Sequence, residues 1–85
     1  MWSVEATLTG HSDAVTCMAV LADGRLATGS NDDTVKVWKE SSQGSGVWSV
    51  EATLTGHSGY VNCAEVLADG RLATGSDDKT VKVWG

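Results

Sequence analysis

The chain has no proline, only two cysteines, and six basic residues against eleven acidic ones in its 85 positions. The lack of proline suits a fold of strands joined by glycine turns, where backbone donors are needed throughout. The basic residues stand singly at Arg25, Lys36, Lys39, Arg71, Lys79 and Lys82. They form no stripe or patch, and the net charge is −5, so nucleic acid is excluded as a partner. No apolar run approaches the ~20 residues that span a bilayer, and no membrane partner is expected. The opening MWSVEATL has no basic stretch followed by an apolar one. No signal peptide is therefore read there, which is compatible with a cytoplasmic location. Cys17 and Cys63 have no metal-ligand or redox spacing around them and read as small apolar residues of a packed interior.

What is present is a repeat. Trp2 to Trp38 recurs as Trp48 to Trp84 at an offset of 46 positions, with 30 of 37 positions identical. The fixed points are Gly10-His11, Asp23-Gly24 and the run from Gly29 to Trp38, each with its counterpart in the second copy. The composition, 41% hydrophobic and 20% charged, is that of a globular chain. A chain this short buries only roughly 60–65% of its unfolded surface, so a core standing alone is marginal.

Within one copy the pattern is that of four strands. Ser3 to Leu8 alternates Val4, Ala6 and Leu8 against Ser3, Glu5 and Thr7, as an outer strand does. Residues 9–13 break the alternation. Ala14 to Leu21 is apolar apart from Thr16, which predicts an inner strand buried on both faces. Asp23-Gly24 is a hairpin turn before a strand from Arg25 to Ser30. Asn31-Asp32-Asp33 turns the chain again into the β-branched and aromatic run Thr34 to Trp38. Residues 39–46 (KESSQGSG) are the one low-complexity segment and read as a flexible linker. The order then repeats: Trp48 to Leu54, Tyr60 to Leu67, Arg71 to Ser76 and Thr80 to Trp84. The chain thus divides into a first repeat with its linker, residues 1–46, and a second repeat, residues 47–85.

A Gly-His pair, four strands and a closing Trp at a period near 45 are the marks of a propeller blade. The chain resembles the WD-repeat family over nearly its whole length. The residue after each Trp is Lys39 or Gly85, where that family usually has Asp; the position is variable in the family, so the resemblance is little affected. The resemblance implies an all-β fold with two four-stranded WD-type blades per chain. It also implies that the first strand of each repeat completes the preceding blade. Trp48 to Leu54 would then finish the blade begun at residue 14, leaving the second blade without an outer strand and Trp2 to Leu8 without a blade. Unpaired edges template other chains, and stacked repeats generally need three or more units. The expectation is a ring closed head-to-tail by copies of the chain, a homotetramer of eight blades ahead of a homotrimer of six.

The resemblance further implies a hydrogen-bonded tetrad in each blade: His11, Thr28, Asp32 and Trp38, and then His57, Thr74, Asp78 and Trp84. The same residue types suggest a hydrolytic triad, but Thr is a poor nucleophile and the set recurs unchanged in both copies, as a brace would. No catalytic residue is assigned. A metal ring from His11 and His57 lacks second ligands, the Asp-rich turns lack calcium-loop spacing, and no cofactor or metal is expected. Trp2 and Trp48 read as shields of a blade edge rather than as a sugar or methyl-lysine site. The seven differences pair Asp13 with Gly59, Ala14 with Tyr60, Thr16 with Asn62, Met18 with Ala64, Ala19 with Glu65, Asn31 with Asp77 and Asp33 with Lys79. In the family, the loops that hold many of these line the face where peptides and proteins dock. Ala14, Thr16, Asn31, Tyr60, Asn62 and Asp77 are therefore the candidate binding residues of that face. The function expected is a non-catalytic assembly module, with a protein- or peptide-binding platform as the alternative.

Overall fold

The computed structural model describes residues 2–85. Their strands are β1 (Val15–Val20), β2 (Leu26–Ser30), β3 (Val35–Glu40), β4 (Trp48–Leu54), β5 (Val61–Val66), β6 (Leu72–Ser76) and β7 (Val81–Trp84). They form two antiparallel sheets, one of four strands in the order β1-β2-β3-β4 and one of three in the order β5-β6-β7. The sheets are out of phase with the repeats, because β4 belongs to the second copy and completes the sheet built from the first. No helix among the described residues is long and apolar enough to cross a membrane.

Turn chemistry accounts for the hairpins. Between β1 and β2, Leu21 N donates to Arg25 O at 2.8 Å and Gly24 N to Leu21 O at 3.0 Å, with Gly24 at φ 91°. That left-handed backbone suits a residue without Cβ. The turn between β2 and β3 places Asp33 at φ 72°, and its counterpart Lys79 also sits at φ 72°.

The linker is not the flexible joint its composition suggested. β3 runs on to Glu40, Ser41 N donates to Val47 O at 2.8 Å, and residues 41–47 make an ordered hairpin loop. The Glu40 carboxylate holds the loop by accepting from Gly44 N at 3.0 Å and Gly46 N at 2.8 Å. An acceptor just ahead of two left-handed glycines is a local device that Gly and Ser content conceals.

Three further expectations are corrected. No strand forms over Ser3 to Leu8: the edge of β3 is taken by β4, and Trp2 stands 99% exposed. The second sheet has three strands, lacking an outer strand as the phase of the repeats implied, so the chain holds one four-stranded blade and one of three strands. β1 is not buried on both faces either. Cys17 and Ala19 turn toward the second sheet, whereas Val15, Met18 and Val20 are exposed because no sheet lies beyond them. Nor is Cys63 a buried residue: it is exposed, and Cys17 is half-buried.

The core lies between the sheets. Leu21, Ala27, Val35 and Val37 of the first pack with Val61 and Leu72 of the second. At Gly29 a Cβ would stand 2.6 Å from Val61 Cγ1 and 2.7 Å from Cys17 Sγ, so only glycine leaves room there for both side chains. Thr16 Oγ1 adds a hydrogen bond across the seam to the Val61 carbonyl.

Candidate functional site

In each sheet the four residues singled out above come together. His11 sits in the segment before β1, Thr28 in mid-β2, Asp32 in the β2–β3 turn and Trp38 toward the end of β3. The antiparallel register puts Trp38 opposite Leu26, so its indole lies across the strand from Thr28. Trp38 Nε1 donates to Thr28 Oγ1 at 2.8 Å, Thr28 Oγ1 lies 2.8 Å from His11 Nε2, and His11 Nδ1 is 2.9 Å from Asp32 Oδ2. A carboxylate only accepts, so Nδ1 is the donor. In the neutral ring Nε2 then accepts the threonine proton while the threonine oxygen accepts the indole's. The second set matches, with Trp84 Nε1 to Thr74 Oγ1 at 2.9 Å, His57 Nε2 to Thr74 Oγ1 at 2.8 Å and His57 Nδ1 to Asp78 Oδ2 at 2.9 Å.

Each Asp has more partners than the tetrad. Asp32 also accepts from Ser12 N at 3.0 Å, Thr34 N at 2.9 Å and Thr34 Oγ1 at 2.6 Å. Burial pushes its carboxyl up, but the bonds from the Thr34 hydroxyl, His11 and the Thr34 and Ser12 amides outweigh it and hold it well below the usual range. For Asp78 the Thr80 hydroxyl leads; burial opposes it, and His57 with the Ser58 and Thr80 amides completes the same downward shift. Thr34 and Thr80 were not singled out from the sequence. An Asp followed two residues later by Thr is the local signal for such a turn. The half of Ser30 or Ser76 in the same turn is similar: Ser30 Oγ accepts from Asp32 N at 3.0 Å and donates to Asp13 O at 3.3 Å.

This arrangement shares the polarity of an Asp-His-hydroxyl triad but presents no nucleophile. Thr74 and His57 are buried beneath the first sheet, and each threonine oxygen is tied to both His and Trp. Both nitrogens of each imidazole are engaged, so neither has a lone pair directed at a metal ion. Burial pushes the Cys17 thiol up, against smaller opposite effects of Thr16 and the Gly29 backbone, so it is no ready nucleophile. Gly10 packs over the indole: a Cβ there would stand 3.2 Å from Trp38 Cη2, which accounts for glycine ahead of each His.

The sequence matches the family profile described as WD domain, G-beta repeat, over residues 2–39 and again over 48–85. The chain belongs to the WD40 repeat family. Its fold is similar to a solved structure, the WD40 beta propeller domain of Doa1, with a TM-score of 0.76 and 25% sequence identity. The match covers 89% of this chain and 24% of that one, so the chain spans about a quarter of the length of the propeller domain it resembles. WD40 propellers are generally non-catalytic scaffolds that engage other proteins.

The candidate binding residues of the blade face fall in two groups. Ala14 and Thr16 are exposed ahead of and within β1, and Asn31 is half-buried in the next turn. In the second sheet Tyr60, Asn62 and Asp77 are exposed together. Asn62 Nδ2 donates to Asp77 Oδ1, and Asp77 N donates to Tyr60 O at 2.9 Å, so the three form one connected group. Sequence reasoning missed an ion pair on another edge: Arg25 Nη1 meets Glu51 Oε1 at 2.6 Å while its Nε binds Asp23. Arg25, just ahead of β2, and Glu51 of β4 are 26 residues apart and on elements that are not adjacent, so no spacing signals them.

Proposed function

We propose that the 85-residue chain is a non-catalytic assembly module that covers its open blade faces with copies of itself, four chains closing an eight-bladed propeller. The observation that carries this reading is a comparison of identical residues. Val35 and Val37 are 0% and 6% exposed at the seam within the chain, whereas their counterparts Val81 and Val83 are 72% and 52% exposed. On the opposite face the order reverses, with Val61 at 0% and its counterpart Val15 at 56%. The second sheet therefore ends in the surface that the first sheet uses to hold the second. The first sheet begins with the surface the second uses in reply. Covering half-exposed valines of this kind contributes on the order of 1 kcal/mol each. Such head-to-tail contact makes a ring or a filament, and wedge-shaped blades favour the ring.

The segment from Trp2 to Leu8 then supplies the missing outer strand. Its sequence from Trp2 is that of β4, WSVEATL, and β7 of a neighbouring chain offers the edge that β3 offers β4. The tetrads brace each blade, joining the segment before the inner strand to the two middle strands. On this reading each repeat, residues 1–46 and 47–85, is one unit of the ring. Native mass spectrometry tests the reading. A single species near four times the 8.8 kDa chain mass, about 35 kDa, is expected. The trimer mass would replace eight blades by six, and a folded monomer would overturn the assembly.

A second reading rests on the connected group of Tyr60, Asn62 and Asp77. Tyr60 is 49% exposed beside two polar side chains, a composition suited to a peptide with a donor group. A peptide-array hit lost in Tyr60→Ala would favour this platform.

A further inference from the structure

Resting on the assembly reading, a second feature follows from where the two copies differ. At the seam inside the chain, Ala19 of β1 and Ala64 of β5 both pack against the buried cluster. Their counterparts are Glu65 and Met18, which are exposed on the two outer faces. A copy docked in the same way brings the Glu65 face of one chain against the Met18 face of the next. One seam is therefore lined at its inner strands by two small side chains and the other by two large ones. Asn62 replaces Thr16 in the same way, where Thr16 crosses the in-chain seam to the Val61 carbonyl.

Bulk on inner strands has a geometric consequence. Blades diverge outward from the ring axis, by about 45° per step for eight blades and about 60° for six. Larger side chains between inner strands push the narrow edges of two wedges apart and bring their sheets closer to parallel. A smaller angle per step needs more blades to close. The Glu65 carboxylates, one from each chain and all near the axis, add like-charge repulsion that also favours the wider ring. The Glu65 stem can lie along Met18 with its carboxylate turned to the channel water.

We infer that Met18 and Glu65, meeting at the chain-to-chain seam, set the number of chains in the ring, and that the two seams are unequal for this purpose. The partner they fit is a second copy of this chain and its chemistry is a thioether beside a carboxylate stem. The test compares the parent chain with Met18→Ala/Glu65→Ala, which makes the second seam match the first at these two positions, in native mass spectrometry at equal protomer concentration. The expected result is a ring with fewer chains than the parent's, the trimer gaining at the expense of the tetramer. An unchanged or larger number of chains overturns the inference while leaving the assembly reading standing. A parent chain that is monomeric overturns the assembly reading itself, and this inference with it. Should the double variant fail to fold, Met18→Ala alone serves, since alanine already occupies the matching position 64; it is expected to shift the distribution the same way, and no shift overturns the inference.

Discussion

Replacing Asp32 by alanine gives the sharpest measure of what the tetrad does for a blade. Four hydrogen bonds end on this carboxylate, from His11 Nδ1, Ser12 N, Thr34 N and Thr34 Oγ1. They do not contribute equally. Ser12 is exposed, so water takes over its amide at little cost. The Thr34 hydroxyl can rotate toward another acceptor. His11 Nδ1 and the Thr34 amide are partly buried and are left as donors that water reaches poorly. At about 1–1.5 kcal/mol for each such donor, Asp32→Ala lowers stability by about 2–3 kcal/mol. Asp32→Asn keeps one acceptor oxygen and should lose roughly half as much. For a domain of this size about 1 kcal/mol corresponds to ~4–8 °C, so the alanine variant should melt at least ~8 °C lower. The assay is thermal unfolding by circular dichroism at one fixed protomer concentration, because the proposed assembly would make the melting temperature depend on concentration. A melting temperature equal to the parent's would refute the brace, and hydrolytic activity lost in Thr28→Ala without loss of folding would replace it with a catalytic role.

The same carboxylates make stability depend on pH. Hydrogen bonds hold Asp32 and Asp78 below their unfolded value of roughly 3.9, so their contribution is complete above that pH and is lost as pH falls below it. Melting temperatures should drop below about pH 4 as these carboxylates are protonated; a rise on acidification through that range would contradict the geometry. On the proposed assembly, the Arg25–Glu51 pair has a counterpart between chains, Arg71 with Glu5 of the next copy. Arg71→Glu and Glu5→Arg should each weaken assembly in native mass spectrometry, modestly because the in-chain pair is partly exposed, and the two together should restore it. A double variant no better than the single ones would argue against exchange of the outer strand.

Much of the blade was legible in residue order. Apolar and β-branched runs set off by the Asp-Gly and Asp-rich turns located β2, β3, β5 and β6 to within a residue or two, because residue preference and turn torsions are local properties. The tetrad was legible only through resemblance. Nothing within ten residues of His11 says that Asp32 and Thr28 will stand on either side of its ring. The linker misled because Gly and Ser content is read as freedom, whereas the Glu40 carboxylate binds two of the loop's amides.

What the chain could determine by itself is therefore the blade: strand identity, turn torsions and the donors and acceptors each turn supplies. What only tertiary structure decided is which copies of the same residues are covered. WSVEATL is strand β4 at residues 48–54 and forms no strand at residues 2–8, because a strand needs an edge and β4 already holds that of β3. Val35 and Val81 have the same neighbours in sequence and opposite exposure, because burial belongs to whatever lies across the seam. Local torsions are written residue by residue; the covering of a face depends on a second surface, which no stretch of its own sequence contains.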